Sequence, residues 1–298
     1  MQANELFTQS HTILLDGGMG TMLQASGLKL GARPEELNIE DPALIERIHG
    51  MYAAAGSRIV NANTFGASAH KLADSQYTLE EIIAAGIRCC KRACAPYGAL
   101  TALDVGPLGE LLEPSGTLAF EDALNEYARI VRAGVAAGAD LIFFETFTDL
   151  YELKAALLAA KENSTLPVLA SMSFEAGGRA FTGCTVESFA VTARGLGADA
   201  VGINCSLGPK EIFPMAKRLT EALPGDFPVF VKPNAGLPRA DGSGYDITPQ
   251  LYALQMKPYR DLHLFAAGGC CGTTPEFIRL LNGVFADCTP GRPAHTLP

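Results

Sequence analysis

Along its whole length the chain alternates between short apolar runs rich in β-forming residues and longer stretches with helical spacing of apolar residues. There are eight such runs, at 12–16, 58–62, 99–106, 139–146, 167–174, 198–205, 228–234 and 262–269. Strands that alternate with helical segments are typical of α/β folds with parallel strands. Eight repeats of this unit predict a (β/α)8 TIM barrel. The count disfavours the alternative, a doubly wound open sheet.

Helix start and stop signals separate the predicted strands. Asp41 precedes Pro42, and Thr78 stands three residues before Glu81, which is the spacing of a capping box. Several helical stretches end in glycine, at Gly56, Gly138 and Gly197. We expect one barrel domain over residues 1–298, with an irregular, proline-rich tail at 288–298.

Composition limits the classes of partner. The net charge is −9 with no basic block, which argues against nucleic acid because phosphate binding needs clustered Lys and Arg. No apolar run is long enough to cross a membrane, and the N-terminus lacks a secretory pattern. We therefore expect a cytoplasmic protein, whose eight cysteines serve as thiols or metal ligands rather than in disulfides.

Polar residues, Asp104 and Lys232 among them, lie at the carboxyl ends of most of the predicted strands. Barrel enzymes place their chemistry on this face. The candidate site residues, in chain order, are Asp16, Gly17, Gly18, Thr64, Glu145, Asn204, Cys205, Asn234, Cys270 and Cys271. As a set they predict one shared site at the barrel mouth.

Two adjacent cysteines, Cys270 and Cys271, lie in the glycine-rich stretch "GGCCG" at 268–272. A disulfide between neighbours is strained, whereas an irregular glycine turn lets both sulfurs face one point. Cys205, at the end of the sixth strand, supplies a third thiol. Three thiolates predict a zinc site with one open position, which is typical of catalytic zinc. Cys184 is an alternative fourth ligand that would close the site.

The other cysteines have structural explanations. Cys89, Cys90 and Cys94 fall in a predicted helix, where cysteine behaves as a small buried hydrophobic residue, and Cys288 lies in the tail. We expect none of these four to be catalytic.

The predicted ligands indicate the chemistry. A metal that already holds three thiolates suits the binding of a further thiol as thiolate, so alkyl transfer to sulfur is expected. Asp16 and Glu145 are fit to hold an ammonium group. The backbone of Gly17 and Gly18, with the Thr64 hydroxyl, is fit to hold a carboxylate. The site is thus predicted to bind an amino-acid thiol.

Five stretches together resemble the homocysteine S-methyltransferase family: "LLDGGMGTMLQ", "NANTFGAS", "GINCSLGP", "VKPNAGLP" and "GGCCGTTPEFI". The similarity runs from about Leu14 to Ile278. It is greatest to the homocysteine-binding module of cobalamin-dependent methionine synthases, toward which "GPLGELLEPSGTL" also leans. The resemblance implies zinc on Cys205, Cys270 and Cys271 and homocysteine as methyl acceptor. It also implies amino-group contacts from Asp16 and Glu145, carboxylate binding near Gly17, Gly18 and Thr64, and a lining or supporting role for Asn204 and Asn234.

The resemblance further implies methionine biosynthesis with a methylcobalamin-type donor, carried by a corrinoid protein or by further methionine-synthase modules. The chain reaches only Pro298, where methionine synthase continues. A separate small enzyme that uses S-methylmethionine, S-adenosylmethionine or betaine is therefore an alternative. Two others are a thiol-binding module that acts only with a partner, and a dithiol redox protein that uses Cys270 and Cys271.

Overall fold

Eight parallel strands form a barrel in the computed structural model, which describes residues 3–29, 31–239 and 244–291. The strands in these ranges are β1 (Ile13–Leu14), β2 (Ile59–Asn61), β3 (Leu100–Val105), β4 (Leu141–Phe147), β5 (Val168–Met172), β6 (Ala200–Asn204), β7 (Val229–Lys232) and β8 (Ala266–Ala267). Each lies inside one of the predicted runs or extends it by a single residue.

The sheet order follows the chain, and the two ends of the sheet meet. From β2 to β8 each strand pairs in parallel with the next, and β8 pairs with β1. Between β1 and β2 the backbone N–H of Arg58 donates to the carbonyl of Leu14 at 2.7 Å. The barrel is thus nearly closed, and the predicted TIM-barrel architecture is confirmed.

Ten α-helices surround the strands in the described ranges. They are α1 (Met19–Ala25), α2 (Leu37–Glu40), α3 (Pro42–Ala54), α4 (Leu79–Cys94), α5 (Phe120–Ala136), α6 (Leu150–Asn163), α7 (Val186–Gly195), α8 (Pro209–Glu221), α9 (Pro249–Met256) and α10 (Pro275–Phe285). Short 3-10 helices occur at Ala3–Thr8, Pro34–Glu36, Ala95–Tyr97 and Lys257–Leu262. Across this part of the chain, no helix combines the length and the apolar character needed to cross a bilayer.

The predicted helix boundaries are present. The Asp41 side chain accepts from the N–H of Leu44 at the start of α3, and Thr78 and Glu81 form a reciprocal capping box on α4. The glycines that end these segments, Gly56, Gly138 and Gly197, have φ of 113°, 85° and 87°. This left-handed conformation is accessible to glycine at little cost, so the helices stop where the sequence predicts.

The inside of the barrel is layered because side chains on one strand face inward at every second position. The layers nearer the amino ends of the strands are apolar. Inside the barrel, Phe143 packs on Phe230 with ring centroids 5.0 Å apart. One step further along the strands, the inward residues are polar and buried: Asn61, Asp104, Glu145, Ser171, Asn204 and Lys232. The two-residue period therefore places a polar layer directly below the barrel mouth.

At the amino end of the barrel, described segments near both termini pack together. Phe7 packs against Phe265 at 5.1 Å between centroids, and the N–H of Thr12 donates to the carbonyl of Cys288 at 2.8 Å. The tail is irregular at 288–291, and residues 292–298 lie outside the described part of the chain. Cys288, like Cys89, Cys90 and Cys94, is buried.

Gly202 gives a test of this packing. A Cβ at position 202 would lie 2.4 Å from the Phe230 ring and 2.6 Å from the Phe230 carbonyl oxygen. We expect Gly202→Ala to lower the free energy of unfolding by about 1–3 kcal/mol, since the rigid core cannot absorb the added methyl group. Urea denaturation followed by circular dichroism measures the change.

The matched control is Gly50→Ala in the middle of α3, where an added Cβ meets nothing within 4 Å. This variant should be neutral or more stable by up to about 1 kcal/mol, because alanine favours the helix. Equal effects of the two substitutions would contradict the packing argument.

Candidate active site

Cys205 lies in a left-handed backbone turn that a contact with the neighbouring strand helps to hold. It follows β6 directly, and both Cys205 and Ser206 are left-handed, with φ of 63° and 62°. Its N–H donates to the carbonyl of Lys232 at 3.1 Å on the neighbouring strand. Non-glycine residues adopt this conformation at a cost, and such strain concentrates at functional sites.

Cys270 and Cys271 lie in the loop after β8, which neighbouring loops hold in place. The N–H of Cys270 donates to the carbonyl of Pro233 at 2.8 Å, and the N–H of Cys271 donates to the Asn234 side-chain oxygen at 3.1 Å. Gly272 follows with φ of 79°, and a Cβ there would collide with the Tyr245 ring at 2.3 Å. Glycine is needed at position 272 because of the left-handed backbone and because a side chain would collide with Tyr245.

The three thiols converge as predicted. The ligand atoms of Cys205, Cys270 and Cys271 lie within 4.8 Å of one another, and the Sγ atoms of Cys205 and Cys271 are 3.8 Å apart. Zn–S bonds of ~2.3 Å in a tetrahedral site place two sulfurs about 3.8 Å apart, so the cluster fits such a metal. Within the described residues, Cys184 is not part of this cluster, and its thiol contacts the carbonyl of Thr185. The closed four-cysteine alternative is therefore not supported.

The three thiols are coupled through hydrogen bonds, and these bonds shift their pKa values in opposite directions. Hydrogen bonds with Cys205 and Cys270 lower the pKa of Cys271 to about 3. Hydrogen bonds with Cys205 and Cys271 raise the pKa of Cys270 well above its usual range. Burial, and then the nearby Cys271, raise the pKa of Tyr245, which lies beside the cluster. A cluster that concentrates thiolate character is suited to bind a soft cation.

Lys232 is the centre of the polar layer. Its ammonium group is buried, 3.1 Å from Asp16 Oδ1 and 2.8 Å from Glu145 Oε2, and 5.1 Å from the Phe143 ring centroid. Burial lowers the pKa of Lys232, but the two carboxylates outweigh this and hold the pKa well above its usual range. The carboxylates predicted to bind a ligand ammonium thus already share an internal one.

The acids outnumber this cation. Asp16 also accepts from the N–H of Asn61 at 2.8 Å, and Asn61 Nδ2 donates to Glu145 at 3.3 Å. Asp104 is buried nearby, and its Oδ1 has no hydrogen-bond partner among the described residues. Burial, and then Glu145, raise the pKa of Asp104 well above its ordinary value. The layer therefore contains a further buried acid, which either a proton or a second cation can neutralise.

The glycines after β1 have a packing role that the sequence did not indicate. A Cβ at Gly17 would lie 2.6 Å from Thr273 Oγ1, and one at Gly18 would lie 2.9 Å from the carbonyl oxygen of Cys270. The N–H of Gly18 donates to Thr273 Oγ1 at 3.2 Å. Glycine is thus required at these positions, because the loop after β1 lies directly against the loop after β8 that carries Cys270 and Cys271.

Three predicted residues, Thr64, Asn204 and Asn234, form hydrogen bonds with other site residues without lining the pocket. The Thr64 hydroxyl exchanges hydrogen bonds with the backbone of Asp104, at 2.8 Å and 3.2 Å. Asn234 holds the backbone of Cys271, and Asn204 is fully buried below the thiols. In the described part of the chain, the pocket at the barrel mouth is lined by the other predicted residues and not by these three.

One pocket joins the thiols to the acids. It has a volume of about 330 Å³, which is within the range of small-molecule sites. Its lining includes Cys205, Cys270 and Cys271 together with Asp16, Asp104 and Glu145. The structure thus brings together the thiol and carboxylate residues predicted from separate strands.

Lys232 and Asp104 are expected at strand ends on the mouth face but are assigned no role in the site, and Tyr245 is not predicted. A signal existed for the first two: each stands two positions after an inward apolar residue, Phe230 and Ala102, so the strand period points it into the barrel. Tyr245 lies on a loop between β7 and α9, where no periodicity predicts its direction.

Fold and site together define an α/β barrel whose mouth carries a three-thiol cluster able to hold a metal. A family model described as homocysteine S-methyltransferase matches residues 13–285. The chain belongs to this family.

Relatives agree with this assignment. The chain is 31% identical over 300 aligned positions to a methionine synthase of Mycobacterium leprae, covering 93% of this chain and 24% of that one. It is 32% identical over 293 positions to a methionine synthase of Mycobacterium tuberculosis, covering 91% and 24%. The chain thus spans about a quarter of these curated relatives.

A solved structure shares the fold. The metallated form of the homocysteine methyltransferase MmuM from Escherichia coli superposes with a TM-score of 0.80 at 23% identity, covering 93% of this chain and 98% of that one.

Lys232→Met tests the charge balance of the polar layer. The substitution leaves Asp16 and Glu145 buried without their cation, which typically costs about 3–5 kcal/mol of the free energy of unfolding. A buried carboxyl with a raised pKa takes up a proton more readily when folded than when unfolded. The deficit should therefore shrink as the pH falls from ~7 toward ~5. Denaturation at several pH values measures both effects.

Lys161→Met is the matched control. Lys161 pairs with Asp199 at 3.6 Å, but both side chains are about 40% exposed. The loss should stay below about 1 kcal/mol, because water screens a surface pair. A similar loss in both variants would contradict the role of Lys232.

Proposed function

We propose that this chain is a zinc-dependent homocysteine S-methyltransferase domain that transfers a methyl group to the thiol of homocysteine and yields methionine. One observation carries the proposal: a single pocket has three converging thiols at one end and a buried excess of carboxylates at the other. Family membership supports the same substrate.

The thiol end holds the reacting atom. Cys205, Cys270 and Cys271 would hold the zinc ion, and a bound zinc ion supplies the means to keep an incoming thiol deprotonated at neutral pH. The described residues place no fourth His, Cys, Asp or Glu ligand with the cluster. A coordination position is therefore left for the substrate sulfur.

The acid end holds the amino group. Lys232 neutralises one of the two carboxylates it bridges, Asp16 and Glu145, so one negative charge remains for a ligand ammonium. The unpartnered Oδ1 of Asp104 is a further acceptor in the same pocket. We propose that Glu145 and Asp104 contact the ammonium, while Asp16 acts chiefly by holding Lys232. The substrate carboxylate faces the loop at Gly17 and Gly18.

In the transfer itself, a bond forms between the homocysteine sulfur and the methyl carbon as the bond from that carbon to the donor breaks. The donor keeps the electron pair of the broken bond, and the thiol proton has already passed to solvent. The chain contributes by fixing the ammonium and the sulfur, so that the sulfur lone pair points at the methyl group.

A methylcobalamin-type donor is the first candidate, presented by a corrinoid protein or by further methionine-synthase modules. The likeness to two methionine synthases, of which this chain matches 24%, favours a domain that works with such modules. S-Methylmethionine, S-adenosylmethionine and betaine are the competing donors. A cytoplasmic location remains a prediction.

Metal analysis tests the thiol assignment. We expect one zinc per chain in the natural protein and loss of most of it in Cys205→Ser and Cys271→Ser, because a hydroxyl is a much weaker zinc ligand than a thiolate. Cys184→Ser is the matched control and should keep its zinc, since Cys184 lies apart from the cluster. Retained zinc in the first two variants would rule out the proposed ligands.

A donor assay tests the activity. Zinc-loaded protein is incubated with homocysteine and, separately, each of the four donors, and methionine is measured by mass spectrometry. Turnover with methylcobalamin supports a methionine-synthase-type domain, and turnover with a sulfonium or betaine supports a self-sufficient enzyme. Silence with every donor and with an added methylcorrinoid protein would contradict methyl transfer to homocysteine.

A further inference from the structure

A single buried amide connects the two ends of the pocket. Asn204 is fully buried at the end of β6, next to Cys205. Its Oδ1 accepts from the N–H of Thr146 and from the Ser171 hydroxyl, both at 2.9 Å. Its Nδ2 donates to Thr146 Oγ1 at 2.7 Å and lies 3.8 Å from Cys270 Sγ.

The orientation of this amide follows from its partners. The backbone N–H of Thr146 can only donate, so Oδ1 must be the atom that faces it. Nδ2 is then the atom next to the Cys270 sulfur. An N–H donor toward that sulfur is compatible with a thiolate, whereas an oxygen there would repel it.

Thr146 has a strained backbone conformation that its hydrogen bonds to Asn204 maintain. It has φ of 65°, which is unfavourable for a β-branched residue, and the pairing of β4 with β5 shifts register between Phe144 and Phe147. Asn204 bonds Thr146 at both its N–H and its hydroxyl. Glu145 immediately precedes Thr146, so the same turn sets the direction of the Glu145 carboxylate.

We infer that Asn204 is a positioning residue that fixes the distance between Glu145 and the Cys270 sulfur, and thereby selects the chain length of the amino-acid thiol. The inference rests on the proposed function of this pocket. Homocysteine is one methylene longer than cysteine, so a fixed span between the ammonium site and the metal site discriminates between them. A merely structural Asn204 would affect stability and leave this preference unchanged.

The test measures thiol binding rather than turnover. Protein loaded with cobalt(II) in place of zinc is titrated separately with homocysteine and cysteine, and the thiolate-to-cobalt charge-transfer absorption gives each Kd. A discrimination of one methylene is worth ~10–200-fold. We expect the natural protein to prefer homocysteine within that range and Asn204→Ala to lose about tenfold of the preference.

A second substitution tests whether Asn204 acts through the backbone conformation of Thr146. Thr146→Gly in the Asn204→Ala background should recover part of the preference, because glycine adopts a positive φ without the amide. Thr146→Gly alone measures any direct effect of the threonine. Ser173→Ala is the matched control: it removes a 2.8 Å hydrogen bond to the Asn204 backbone carbonyl and leaves the amide in place, so the preference should not change.

Asn204→Asp addresses the thiol end and keeps the side-chain shape if the alanine variant does not fold. Its carboxylate can still accept from the Thr146 N–H but offers no donor to Cys270. We expect at least about tenfold weaker metal retention in chelator competition.

An unchanged homocysteine preference in Asn204→Ala, or unchanged metal retention in Asn204→Asp, would overturn the inference. Failure of the natural protein to bind either thiol would instead contradict the proposed function.

Discussion

The buried ion pairs of Lys232 organise this site. One ammonium group on β7 bonds a carboxylate after β1 and another on β4, and so it connects three strands across the inside of the barrel. Without the cation, the two buried carboxylates would repel each other, and their desolvation would lower the free energy of unfolding by several kcal/mol. Among the described residues, Lys232 is the one ammonium group that bonds these two acids, so its single positive charge faces two carboxyl groups. The acids that these ion pairs stabilise are the same acids that the proposed function uses to bind the substrate ammonium.

Left-handed backbone at three non-glycine residues shapes the rest of the pocket. Thr146, Cys205 and Ser206 have φ of 65°, 63° and 62°, and each lies at the carboxyl end of a strand. Such strain persists only where surrounding contacts maintain it. Here the Asn204 amide holds Thr146, and the carbonyl of Lys232 accepts from Cys205. The polar layer therefore supports the thiol cluster as well as the acid end.

The fold was largely predictable because its signals are local. Each strand is a short apolar run, and the caps at Asp41 and Thr78 and the glycines at Gly56, Gly138 and Gly197 mark helix ends within a few residues. The convergence of Cys205, Cys270 and Cys271 was also predictable, since carboxyl ends of barrel strands share one face. The short extent of β8, Ala266–Ala267, was not, because it depends on contacts with β1 and β7.

The sequence by itself determined the barrel, the three thiols and the presence of acids at the mouth, since strand period and strand order follow from neighbouring residues. Only the tertiary structure decided how those acids are used. Lys232 is 216 residues from Asp16 and 87 from Glu145; the strand pattern places all three at the barrel mouth but does not reveal that they form ion pairs. Likewise, Thr64 and Asn204 bond other site residues rather than line the pocket. Charge compensation and hydrogen bonding depend on distances of a few ångströms across the barrel, which the fold sets and the strand pattern leaves open.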